Sequence, residues 1–320
     1  MKQQAQRFRQ AVLLRARDSY MRSIGRTTLA ASLLLAQQML CVFVASGLSD
    51  RLSHLSISIA GYPLNWTFHV TLFALFSLFG PIMLGVTEYF VLQLHTGSGR
   101  VINIFNWFGD SDRLWVGIKY GLFQSLLLVI GQLIGEVPSF IFFKNGLSFE
   151  TITAASNTMD PAAIQYILDH SGIIYLTFAT YLLGFAVQIP LLRLAATEYL
   201  LVGSPRLKLG AALKESNSLM KGKVGSFLLT ILKVLPIIFL MSGCGFLFFL
   251  GYGFYYMVRS SFIDTLIISR FMENHGSGGT PEDVVDFSEY LRHSSSEDED
   301  GNPLPPLENN GEPDDHKDEE

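Results

Sequence analysis

Charge is what most of this chain lacks. Acidic and basic residues make up 16% of its 320 positions, and they crowd into the two ends and a few short loops, leaving five long apolar stretches between them. Cysteine is scarcer still: Cys41 and Cys244 are the only two. Both fall within or between apolar stretches, which excludes a disulfide framework and a cysteine-held metal. The seven histidines are scattered without ligand spacing. The nearest thing to a phosphate loop, Thr96-Gly97-Ser98-Gly99-Arg100, has neither a preceding strand nor the Gly-Lys-Ser/Thr ending that a nucleotide site needs. No zinc-ligand, Ser-His or paired-aspartate pattern lies inside an apolar stretch, so the sequence offers no catalytic residue, no metal site and no cofactor, and points away from an enzyme.

What is present is apolar length. The stretches run over about 28–48, 64–95, 114–143, 172–202 and 224–268, under a mean hydropathy of +0.33. Each approaches or exceeds the roughly 20 residues that cross about 30 Å of hydrocarbon. The fold class this predicts is all-α: a polytopic helical membrane protein. The last run is too long for one helix, and Ser242-Gly243-Cys244-Gly245 at its centre can turn the chain, giving six transmembrane helices with five as the alternative.

Basic residues in short loops set the orientation. Lys2, Arg7, Arg9, Arg15, Arg17, Arg22 and Arg26 precede the first span, and Arg206, Lys208, Lys214, Lys221 and Lys223 follow the fourth. The N-terminus is therefore expected in the cytoplasm, and with six spans the C-terminus joins it. The organisation reads as a basic leader over 1–27, a transmembrane domain over 28–268 and an acidic tail over 269–320.

Residues 1–271 hold 21 Lys and Arg against 12 Asp and Glu, a net of +9, whereas 272–320 hold 2 against 16, a net of −14. The tail is rich in Pro, Gly, Ser and Asn and is expected to be disordered. Thr280-Pro281-Glu282-Asp283 supplies a cap, a proline and first-turn acids for a short helix over 281–292, whose Val284, Val285, Phe287, Tyr290 and Leu291 could dock on a protein partner. Membrane lipid is the other expected partner, and nucleic acid is not one.

One motif occurs twice. Thr87-Glu88-Tyr89 and Thr197-Glu198-Tyr199 close two apolar stretches 110 residues apart, each just before a polar turn and a mixed segment. Those segments, with Val101, Ile104, Phe105 and Phe108 in one and Leu209, Leu213 and Leu219 or Met220 in the other, read as two interfacial amphipathic helices. The pattern suggests an internal duplication of a helical hairpin plus interfacial helix.

Charges buried in a bilayer are expensive, about 2.5–3.5 kcal/mol each at mid-helix. Glu88, Glu198, Arg193 and Lys233 all belong to the inner half of their spans, and their signs balance, so they form a candidate intramembrane charge cluster. Gln124, Gln132 and Glu136 add polarity to the third span and could line a cavity or bridge helices. Gly117 with Gly121, and Gly131 with Gly135, are two small-xxx-small pairs suited to close helix contact.

The stretch Ala212-Leu213-Lys214-Glu215-Ser216-Asn217-Ser218-Leu219-Met220-Lys221-Gly222, followed by Phe227-Leu228-Leu229, resembles a bacterial membrane family catalogued as domain of unknown function 975. The likeness runs loosely from about 64 to 268, and departs from the family in the long 144–171 loop and the acidic tail. It implies a multi-pass protein of the bacterial cytoplasmic (inner) membrane and carries over no catalytic residue. The functional expectation is a non-enzymatic scaffold or accessory protein, with a transporter or channel for a small solute or lipid-like molecule as the alternative.

Overall fold

The computed structural model describes residues 2–52, 57–59, 62–97, 99–144, 189–204, 206–242 and 245–275, with single helical positions between 165 and 182. Apart from one short strand pair, the described elements are helices. In chain order they are α1 (Lys2–Arg22), α2 (Ile24–Arg51), strands β1 (Ile57–Ile59) and β2 (Tyr62–Leu64), α3 (Trp66–Leu78), α4 (Gly80–His95), a 3-10 helix (Val101–Phe108) and α5 (Ser111–Lys144). A second 3-10 helix (Ile189–Leu194) then leads into α6 (Thr197–Gly203), α7 (Leu209–Met220), α8 (Val224–Ser242) and α9 (Gly245–His275).

Among the described residues, two helices, Ile24–Arg51 and the Ser111–Pro138 portion of α5, are long and apolar enough to cross a membrane. A third crossing is available if α3 and α4, which meet at a 49° bend, count as one span. The bend falls at Phe79-Gly80-Pro81, where proline starts α4 and cannot donate a backbone hydrogen bond to the turn before it. Gly80 faces Gly117 and Gly121 of α5 so closely that a Cβ on Gly121 would lie 2.5 Å from the Ser77 carbonyl oxygen, and one on Gly117 2.8 Å from Pro81 Cα. Backbones meet there as the glycine spacing predicts. The second pair behaves differently, because a Cβ on Gly135 would touch nothing within 4 Å.

The basic leader over 1–27 carries structure that the sequence reading did not assign: Lys2–Arg22 folds as α1, a 21-residue helix. Phe8, Val12, Ala16 and Tyr20 repeat at intervals of four, which makes one stripe of an α-helix. Val12, Ala16 and Tyr20 are buried, and the Phe8 ring meets Phe262 of α9 edge-on at 5.4 Å. The Ser261 hydroxyl donates to the Val12 carbonyl, and the Tyr20 hydroxyl donates to that of Leu250. Burial raises the Tyr20 pKa, opposed by its contact with the Thr28 hydroxyl, so the phenol stays a donor. Contacts at both ends therefore lay α1 antiparallel along α9.

The all-α class holds for the described residues, with one three-residue strand pair, Ile57 of β1 opposite Leu64 of β2, beside the helices. Three further expectations change. The segment after Arg100 winds as a 3-10 helix, whose three-residue turn buries Ile104 and Trp107 and leaves Phe105 and Phe108 exposed; the α-helical face of Val101, Ile104, Phe105 and Phe108 does not form. In the 172–202 stretch, the described residues from 189 on form a 3-10 helix, a turn at Ala195-Ala196 and the start of α6, so Thr197 opens a helix while Thr87 lies inside one. Finally, α9 continues to His275, taking the first seven residues assigned to the tail. The 281–292 helix and the rest of the tail lie outside the described residues.

The expected break near Ser242 is present: α8 ends at Ser242 and α9 starts at Gly245. The two pack as a hairpin, with Phe227 and Phe262 ring centroids 5.1 Å apart. Their inner surfaces join α1, α4, α6 and α7 in one core that includes Val12, Leu84, Trp107, Tyr120, Tyr199, Leu200, Phe227 and Phe262.

Candidate functional site

The repeated motif marks the core of the molecule. Thr87 and Tyr89 are buried on α4, and Thr197, Glu198 and Tyr199 are buried at the start of α6. Each glutamate holds the same kind of company. Glu198 Oε1 lies 2.7 Å from Arg259 Nη2, and its Oε2 accepts a hydrogen bond of 3.0 Å from the Tyr120 hydroxyl. Glu88 accepts from the Trp107 indole and has Arg113 Nη1 at 3.5 Å. In both copies the arginine also stands over an aromatic ring, Arg259 over Tyr256 and Arg113 over Trp107, each 5.8 Å from the ring centroid. One carboxylate, one guanidinium and one aromatic donor recur as a unit.

The copies differ in depth. Glu198 and Arg259 side chains are 5% and 19% exposed, against 21% and 35% for Glu88 and Arg113. The Glu198–Arg259 contact is an ion pair by distance, without the alignment of a hydrogen bond, so Tyr120 supplies the directed donor. Gln124 in turn donates to the Tyr120 hydroxyl at 2.8 Å, and the Tyr199 hydroxyl meets Ser260 at 3.0 Å.

The four charges read together from sequence are thus not one cluster. Glu88 and Glu198 find Arg113 and Arg259, while Arg193 and Lys233 are exposed and form no ion pair among the described residues. Arg193 contributes its backbone instead: its carbonyl accepts from Ser216, whose oxygen also receives the Ala196 N–H, tying α7 to the turn before α6. Lys233 points away because Phe227, Thr230 and Val234 form the inward stripe of α8.

A second charged centre escaped the sequence reading. Asp264 is wholly buried on α9 and takes Arg15 Nη1 at 2.7 Å from α1 and His95 Nε2 at 2.8 Å from the end of α4. Its signal was legible: Arg259 and Asp264 are both charged residues inside the last apolar run. Their partners were not, because depth in a span does not say which helix lies alongside.

Gln132 and Glu136 bridge two helices. They bond the two nitrogens of His69 on α3, at 3.2 and 2.8 Å. With Gln124 engaged by Tyr120, Gln124, Gln132 and Glu136 each hold another side chain. An open groove of about 460 Å³ does exist between α2 and α9, lined by Ile24, Gly25, Thr28, Leu29, Ser32, Phe249 and Leu250, but it carries no ionisable group. Among the described residues, no three His, Cys, Asp or Glu side chains are grouped to hold a metal.

Comparison with known proteins adds no further constraint. No family model, curated protein or solved structure matches this chain.

Proposed function

We propose that this chain is an integral membrane scaffold or accessory protein without an enzymatic reaction, with its ends in the cytoplasm. The observation that carries the reading is that polar side chains of the apolar helices are engaged in links from one helix to another. Glu198–Arg259–Tyr120 joins α6, α9 and α5; Asp264–Arg15–His95 joins α9, α1 and α4; His69–Gln132–Glu136 joins α3 and α5. Such links favour a fixed framework.

The contact of α1 with α9 supports an even number of crossings, because Arg15 precedes the first span and Asp264 lies near the end of the last, yet they touch. Six crossings meet that condition: α2, α3 with α4, α5, the 172–202 stretch, α8 and α9. The basic loops favour the cytoplasm for both ends, and the resemblance around 212–229 favours a bacterial inner membrane. The 3-10 helix and α7 would lie at the inner interface, where Ile102, Phe105 and Phe108 are turned outward beside Arg100. The acidic tail and residues 281–292 would recruit the partner.

Crosslinked affinity capture from native membranes tests this, using the full chain and a chain ending at His275, which leaves α9 whole. A defined partner lost on truncation is the expected result. Empty, identical captures from both would overturn the scaffold reading. Transport is the second reading, favoured by the 49° break between α3 and α4, since broken helices form many carrier sites. Against it, the break is closed by Gly117 and Gly121.

A further inference from the structure

Lys233 is the single charge in α8, and the structure leaves it on the apolar outer side of that helix. Leu228, Leu229, Leu232, Leu235 and Ile237 are exposed around it. Within the described chain no carboxylate lies at ion-pairing distance, and the acids of the inner half are already held: Glu88 by Arg113 and Trp107, Glu198 by Arg259 and Tyr120, Asp264 by Arg15 and His95. An ammonium surrounded by leucine needs an anion from outside the fold.

We propose that Lys233 binds the headgroup phosphate of an anionic phospholipid of the cytoplasmic leaflet, whose acyl chains lie on the leucine surface of α8. The inference rests on the membrane placement proposed above. Lys233 stands about 14 Å along α8 from Val224, and its flexible stem brings the ammonium back toward headgroup depth. Exposed Lys221 and Lys223 at the inner end of the same helix extend the positive surface, which selects anionic over zwitterionic lipid. Thr230 is turned inward to bond the Ser226 carbonyl, so the ammonium is the group on this face that recognises phosphate.

The test is native mass spectrometry of the full chain in detergent supplied with phosphatidylglycerol and phosphatidylcholine. Wild-type protein is expected to retain phosphatidylglycerol preferentially, Lys233→Leu to lose about fivefold in retention, and Lys233→Arg to keep it. Unchanged thermal midpoints would show that the variants fold; should Lys233→Leu express poorly, Lys233→Gln gives the same comparison. Equal retention by wild type and variant, or equal retention of the two lipids, overturns the proposal. So does carbodiimide coupling of Lys233 to a carboxylate, whether of a second copy or of the acidic tail. Alkaline carbonate extraction separates the two failures. A chain that leaves the membrane overturns the membrane reading itself, and one that stays while Lys233→Leu binds normally overturns this inference alone.

Discussion

Arg259 and Arg113 occupy equivalent roles in the two motif copies, and their different burial turns that equivalence into a measurable contrast. Removing Arg259 leaves Glu198 charged in a dry site, so Arg259→Leu should destabilise by about 3–5 kcal/mol, the usual cost of stranding one buried partner. Pairing it with Glu198→Gln should recover much of the loss, and a double-mutant cycle on thermal unfolding in detergent measures the coupling. Arg113→Leu should cost about 1 kcal/mol or less, because its pair with Glu88 is longer and partly solvated. At this scale the sequence was half legible. Repetition flagged the two glutamates, and cost flagged their need for cations, but depth in a span does not by itself select Arg259 over Lys233. The helical period of Phe227, Thr230 and Val234 does carry the missing fact, since it turns position 233 outward.

Helices α4 and α5 are held together by absence of side chains, which makes their contact sensitive to a single methyl group. Gly121→Ala would place Cβ within 2.5 Å of a carbonyl oxygen, so it should lower the thermal midpoint clearly, whereas Gly135→Ala, in open space, should leave it unchanged or slightly raised. The glycine spacing announced both pairs; only packing tells them apart. Helix α1 was hidden for another reason. Its apolar stripe of Phe8, Val12, Ala16 and Tyr20 is interrupted by Arg7, Arg9, Arg15 and Arg17, and the density of positive charge reads as orientation signal before it reads as structure. Amide hydrogen exchange should find residues 8–20 protected as strongly as the α9 segment they cover, and exchange at the rate of a solvated leader would contradict the packing.

For the molecule as a whole, the stretches over 28–48, 64–95, 114–143 and 224–268 form α-helices, and the break near Ser242 was visible from its small residues. Which helices touch was not, because hydropathy ranks each segment against solvent and is silent about neighbours. The ends of the chain show this best. On the proposed six crossings, a reporter active only in the cytoplasm should work when fused after His275 and equally before Lys2, because Arg15 and Asp264 meet; activity at one end alone would overturn that proposal.

The same meeting of ends sets a schedule. Val12 and Ser261 are bonded across 249 positions of sequence, so α1 covers its apolar stripe with a helix made long after it. At roughly 5–20 residues per second, α1 waits on the order of 10–50 s for its partner to be made. A nascent chain arrested before residue 260 has Arg15 without Asp264 and Tyr20 with only part of α9. Closure of α1 onto α9 therefore waits until α9 has been made, and release of a chain that lacks it leaves a basic, sticky helix for quality control to find.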